Sequence, residues 1–262
     1  TEYAAFLTAV ARDTDPHRLY SPMQGQHFWG GIVKTLSRSS ATYRVKQGYE
    51  NLPVTFVSWF DAVRYVNWLH FGRPDTGGSE AGATEGSSTI GAYDTSDFGT
   101  TFHTPRRRNP NAKYFIPTCG EWIYAGFYDP ATRALSRYVG GNSPPSSGKQ
   151  DSTNRSANYY SMRWALPFPH LAAVNAYSNN RSALGTYNQA GNAMEWVETI
   201  KGDRSIALGG SLFLSADTLT VDYRDEEISS KKLGSFGFRV ARAASGAYPD
   251  QSQVFSAEIT SN

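Results

Sequence analysis

Five short blocks in a fixed order constrain this chain more than its composition does. Pro53-Val54 leads to Val57-Ser58-Trp59-Phe60-Asp61-Ala62, and Ile116-Pro117-Thr118 leads to Glu121-Trp122. Asn188-Gln189-Ala190-Gly191-Asn192-Ala193-Met194-Glu195-Trp196, Gly209-Gly210-Ser211 and Gly237-Phe238-Arg239-Val240 follow. The first two read as helix starts, because a serine or threonine stands three residues before an acid and ahead of an apolar run, the pattern of a capping box. Helices should therefore open at Ser58, with Trp59, Val63 and Val66 on one face, and at Thr118, with Pro130 as the stop. The last three blocks carry glycine, and a tight glycine-bearing turn can aim backbone carbonyls inward.

Around these blocks the signals are weaker. Thr1 is placed to cap a helix whose apolar face is Tyr3, Phe6, Leu7 and Val10. Residues 16–50 keep no sustained period and read as loop with short strands packed on the domain. The Gly/Ser/Thr-rich stretch 72–104 has too little hydrophobicity to fold alone and reads as a surface insert. Arg106-Arg107-Arg108, between Pro105 and Pro110, reads as a solvated loop. Residues 243–262 form an extension in which Gln253 to Thr260 is strand-capable.

Composition excludes several classes of function. With 25 basic and 23 acidic residues the net charge is +2, too weak a field to expect nucleic acid or an anionic membrane as main partner. No apolar run is long enough for a membrane span, and no charged leader precedes an apolar block. A single cysteine, Cys119, rules out an internal disulfide framework.

The five blocks resemble the formylglycine-generating enzyme, or sulfatase-modifying factor, domain, over about residues 1–242. That resemblance implies an α+β, C-type lectin-like fold in which short helices pack on small twisted antiparallel sheets with much loop. It also implies one or two strands ahead of the first helix, which this sequence does not include, whether cleaved away or not recorded; the tail after residue 242 is a candidate to fill the edge they would leave. The family's oxidase binds copper through a pair of cysteines shortly after Gly-Gly-Ser. Here those positions are Leu214 and Leu219. A leucine offers neither a lone pair nor an ionisable proton, so neither copper nor iron is expected.

The same resemblance implies a calcium ion held by Asn188, Gly191, Ala193 and Glu195. The alternative is that Asn188 caps a turn and Glu195 pairs with Arg239. A second family calcium site would use Asn158 and Tyr159, but the downstream stretch Leu166 to Leu171 holds no carboxylate to complete it. Ser211 matches the family's active-site serine and Met194 replaces a tryptophan. With Phe213, Leu214 and Leu219 they would give an apolar groove, rimmed by charged residues such as Arg224 and Glu227, or simply packed core. The segment Asp222 to Glu227 reads as a charged loop and not a glycosidase pair. The histidines lack metal-ligand spacing, and Cys119 reads as a small buried hydrophobe.

The expectation is a non-catalytic secreted or periplasmic binding or structural module, stabilised by calcium, with a protein partner or self-assembly. An oxidase of formylglycine-generating or sulfoxide-synthase type, and a diversified ligand-binding receptor, are the alternatives.

Overall fold

Local capping decides where the helices begin. In the computed structural model, which describes residues 1–97, 107–148 and 155–243, α1 spans Glu2–Val10 and buries Tyr3, Phe6, Leu7 and Val10. Thr1 precedes it, but its hydroxyl donates to the Glu50 carbonyl at 2.8 Å and does not cap the helix. A five-residue helix, α2 (Pro22–Gln26), and a hairpin of β1 (Ile32–Ser37) and β2 (Ser40–Val45) follow. The Ser58 box opens α3 (Trp59–His70): Ser58 N–H donates to Asp61 at 2.8 Å and Asp61 N–H to Ser58 Oγ at 3.1 Å. The Thr118 box opens α4 (Cys119–Phe127) in the same way. Each cap contributes about 1 kcal/mol.

The strands are short. β3 (Tyr114–Phe115) precedes α4; β4 (Tyr128–Asp129) pairs with β5 (Ala134–Leu135), and β6 (Ser146–Ser147) with β7 (Ser156–Ala157). The main sheet is built from β8 (Met194–Lys201), β9 (Arg204–Leu208), β10 (Asp225–Ile228) and β11 (Phe236–Phe238), in the order β10-β9-β8-β11. β12 (Ala241–Arg242) returns to β3. The parallel β8–β11 pairing sets Gly237 opposite Glu195, which joins the third and fifth sequence blocks. An added Cβ on Gly237 would lie 2.7 Å from the Val54 carbonyl, so only glycine lets these backbones meet.

Two buried indoles clamp α3 to the sheet. Trp59 Nε1 donates to the Val197 carbonyl and Trp196 Nε1 to the Val57 carbonyl, each at 3.0 Å. Each indole removes on the order of 200 Å² from water, an upper estimate of ~5 kcal/mol gross. The fold is α+β, with few helices, small sheets and long irregular stretches between them.

Residues 16–50 hold loop and short strands as expected, with the five-residue α2 in addition; the hairpin turns at Arg38 with φ 54°. Two readings of the sequence need correction. The stretch 72–97 is not a surface insert: Ala83, Thr84, Ala92 and Tyr93 are fully buried. Asn67 of α3 holds it, donating to the carbonyls of Thr84 and Tyr93 at 3.0 Å and accepting from the N–H groups of Ala92 and Tyr93 at 2.9 and 2.8 Å. Arg108 is not solvated either. Its fork meets Glu121 at 3.0 Å and its guanidinium lies 3.8 Å from the Phe115 ring centre. Arg106, residues 98–104 of the insert and the tail beyond Ala243 lie outside the described residues.

Candidate functional site

The third block forms a turn that glycine makes possible. Asn188, Gly191 and Asn192 take φ of 51°, 79° and 68°. A Cβ on Gly191 would stand 2.5 Å from the Asn158 carbonyl, too close for any side chain. Gly191 N–H donates to Gly209 and Asn192 N–H to Asn158, both at 2.7 Å. The Asn158 amide in turn donates to Asn192 Oδ1 at 2.9 Å and to the His170 carbonyl at 2.8 Å. Asn158 therefore knits three segments, and the Tyr159 carbonyl accepts from Ser147 Oγ at 2.8 Å.

Glu195 lies at the start of β8, its side chain 12% exposed. Its Oε2 accepts from Trp122 Nε1 at 2.7 Å and from Arg239 Nε, and its Oε1 accepts from Arg239 Nη2 at 2.7 Å. The same Nη2 reaches the carbonyls of Asn188 at 3.2 Å and Tyr187 at 3.3 Å. The Asn188 amide donates to the Val174 carbonyl at 2.6 Å. These residues fit calcium only in part. A carboxylate has about four lone-pair directions, three are taken, and the guanidinium already neutralises the charge that a divalent ion would need. The ion pair with Arg239 is formed.

The groove candidates do not make one groove. Met194, Ser211 and Leu219 are buried. The 3-10 turn Ala216–Leu219 folds Leu219 into the cluster around Trp122, whereas half-buried Leu214 packs with Trp59 and Met194. Arg224 turns back to the carbonyls of Val221 and Tyr223 at 2.6 and 2.9 Å. Glu227 lies on the edge strand β10, 3.7 Å from Arg204, so the acidic segment is strand from Asp225 onward and loop only over residues 222–224. Burial pushes the Cys119 thiol up, with Arg224 opposing, which keeps it from being a ready thiolate. Among the described residues no three His, Cys, Asp or Glu side chains converge as metal ligands, and no helix is long and apolar enough to cross a membrane.

Next to the Ser211 segment stands a face that sequence reasoning touched only at Phe213. The loop 160–170 is tied there by Tyr160 N–H donating to the Leu214 carbonyl at 2.9 Å. Trp29 packs edge-on against Phe213, centroids 4.2 Å apart, and Trp164 lies 5.6 Å from Phe213. Trp164 stacks on His170 at 4.7 Å, and Phe28 joins Trp29 to Phe168. Phe168 is 66% exposed, Met162 96% and Trp164 39%. A pocket of about 320 Å³ continues the face beyond Phe168, lined by Leu52, Leu166, Leu171, Ala172 and Tyr177. The only signal was the run of rings and prolines in 160–170, noticed for the carboxylates it lacks.

Compared with known proteins, residues 1–244 match the sulfatase-modifying factor enzyme 1-like domain. The chain belongs to this family. No curated protein matches the sequence. Among solved structures it is similar to CarF, at 23% identity and TM-score 0.53, with 85% of this chain and 78% of that chain covered. Treponema denticola variable protein 1 gives 19%, 0.52, 82% and 76%; PvdO from Pseudomonas aeruginosa gives 18%, 0.48, 82% and 72%. The likeness to the first two shows the fold and leaves the function to the site. Within the family fold, the positions that the resemblance assigns to thiols carry the hydrocarbon of Leu214 and Leu219, and the one thiol, Cys119, stands on α4. That donor set does not fit a two-thiolate copper centre.

Proposed function

We propose that this chain is a non-catalytic binding module, secreted or periplasmic, that engages a protein partner through the aromatic face around Trp164. The carrying observation is the connected set of exposed rings beside Leu214. Large apolar patches open to solvent mark interaction surfaces in soluble proteins, and Trp and Phe dominate the energetic centres of such contacts. The leucines at the thiol positions support the non-catalytic part, and the Ser-, Thr-, Asn- and Gly-rich composition goes with an extracellular setting. In this reading Arg239 takes the structural part that calcium was expected to play at Glu195.

The test is a photo-crosslinking residue at position 168 in extracts of source-cell envelopes. One dominant crosslinked protein is expected, displaced by wild-type chain and not by chain carrying Trp164→Ser and Phe168→Ser. Equal displacement by both would refute the assignment of this face.

A further inference from the structure

The charge around the aromatic face is one-sided. It is assembled from residues 16–49, 155–194 and 204–216, and these stretches contain no Asp or Glu. They do contain Arg163, exposed beside Trp164, and Lys46, whose Nζ donates to the His27 carbonyl at 2.8 Å behind Phe28. Two acids border these stretches: Glu50, at the Gly48 end of the pocket, and Asp217, bonded to Ser215. Within the ring cluster, Trp29 Nε1 is buried and has no acceptor among the described residues.

We infer that the aromatic face binds an acidic, apolar peptide segment of a partner protein: a side chain such as Leu or Phe enters the pocket, and carboxylates face Arg163 and Lys46. This rests on the proposed reading of the face as a protein-binding surface. A pocket of about 320 Å³ is at the lower end of small-molecule sites and matches a single large side chain. The cations are few and spaced around rings, and not arrayed as a phosphate backbone or an anionic lipid surface would need. The charge complementarity would set specificity and association rate, while the rings supply most of the affinity.

The experiment pans a displayed library of random 12-residue peptides against the full chain, with counter-selection on the Trp164→Ser, Phe168→Ser double variant. Both substitutions are at exposed positions, and the melting curve of the variant verifies its fold. Face-dependent clones are expected, with Asp and Glu exceeding Lys and Arg and binding that weakens as salt rises. Arg163→Glu should weaken these clones about fivefold or more. Face-dependent clones without an acidic excess would overturn the acidic-partner inference and leave the binding face standing. An absence of face-dependent clones would sink the protein-binding reading itself. Face-dependent binding of phosphatidylglycerol vesicles or of a single-stranded DNA oligonucleotide, tested in parallel, in place of peptide would overturn the inference as well.

Discussion

Replacing Arg239 by Ala is the most direct test of what holds the Asn188 turn. The change strips Glu195 of its two guanidinium hydrogen bonds and leaves a carboxylate, 12% exposed, with Trp122 Nε1 alone. The carbonyls of Asn188 and Tyr187 lose their shared donor too. Breaking a fully buried pair costs about 3–5 kcal/mol. Because the Arg239 side chain is 28% exposed, water recovers part of that, and about 2–3 kcal/mol is expected. For a domain of this length that lowers Tm by about 5–10 °C. Urea unfolding and a thermal melt, each with and without millimolar calcium or a chelator, read the effect. Wild type should not respond to the chelator, because Arg239 already neutralises Glu195. In the Arg239→Ala variant the freed carboxylate should make calcium stabilising. The double variant Glu195→Gln, Arg239→Met removes both charges and should recover about 1 kcal/mol relative to the single change. An Arg239→Ala variant within about 0.5 kcal/mol of wild type would refute the argument. So would a wild-type Tm that falls by several degrees on chelation, which would return an ion to Glu195.

Gly191→Ala should cost about 2–4 kcal/mol in urea unfolding, because φ is 79° and the new Cβ meets the Asn158 carbonyl at 2.5 Å; a cost below 1 kcal/mol would mean the turn relaxes freely. Asn67→Ala removes a buried amide that makes hydrogen bonds to Thr84, Ala92 and Tyr93, and should cost about 4 kcal/mol or open residues 80–97 to limited proteolysis before global unfolding. Burial pushes the Glu121 carboxyl up, but Arg108 and Thr118 outweigh it and hold the group below its ordinary value near 4.5. With the folded-state value depressed, its stabilisation is complete above the unfolded value and is lost as pH falls through the folded one. As pH falls below about 5, Glu121→Gln should therefore flatten the dependence of Tm on pH; an unchanged slope would show that the Arg108 pair contributes nothing.

The helix starts at Ser58 and Thr118 were legible in the sequence because a capping box closes within three residues, and no distant contact is needed to form it. The family blocks were legible for a related reason: the glycines at 191 and 237 meet steric limits that no other residue satisfies. The resemblance carried by those blocks implied the α+β fold, and the glycine-bearing block located the Asn188 turn. Tertiary structure alone decided the rest. Asn67 fixes a polar loop whose partners lie 17 to 26 residues away, and Arg108 leaves solvent because Glu121 and Phe115 happen to converge on it. The Glu195–Arg239 ion pair depends on the β8–β11 register, which brings the two strands together. The aromatic face joins Trp29, Trp164 and Phe213, residues too far apart in the chain for any periodic pattern to connect. Local hydrogen bonds and backbone sterics are written in neighbouring residues, whereas contacts closed over long loops exist only once the whole chain has packed.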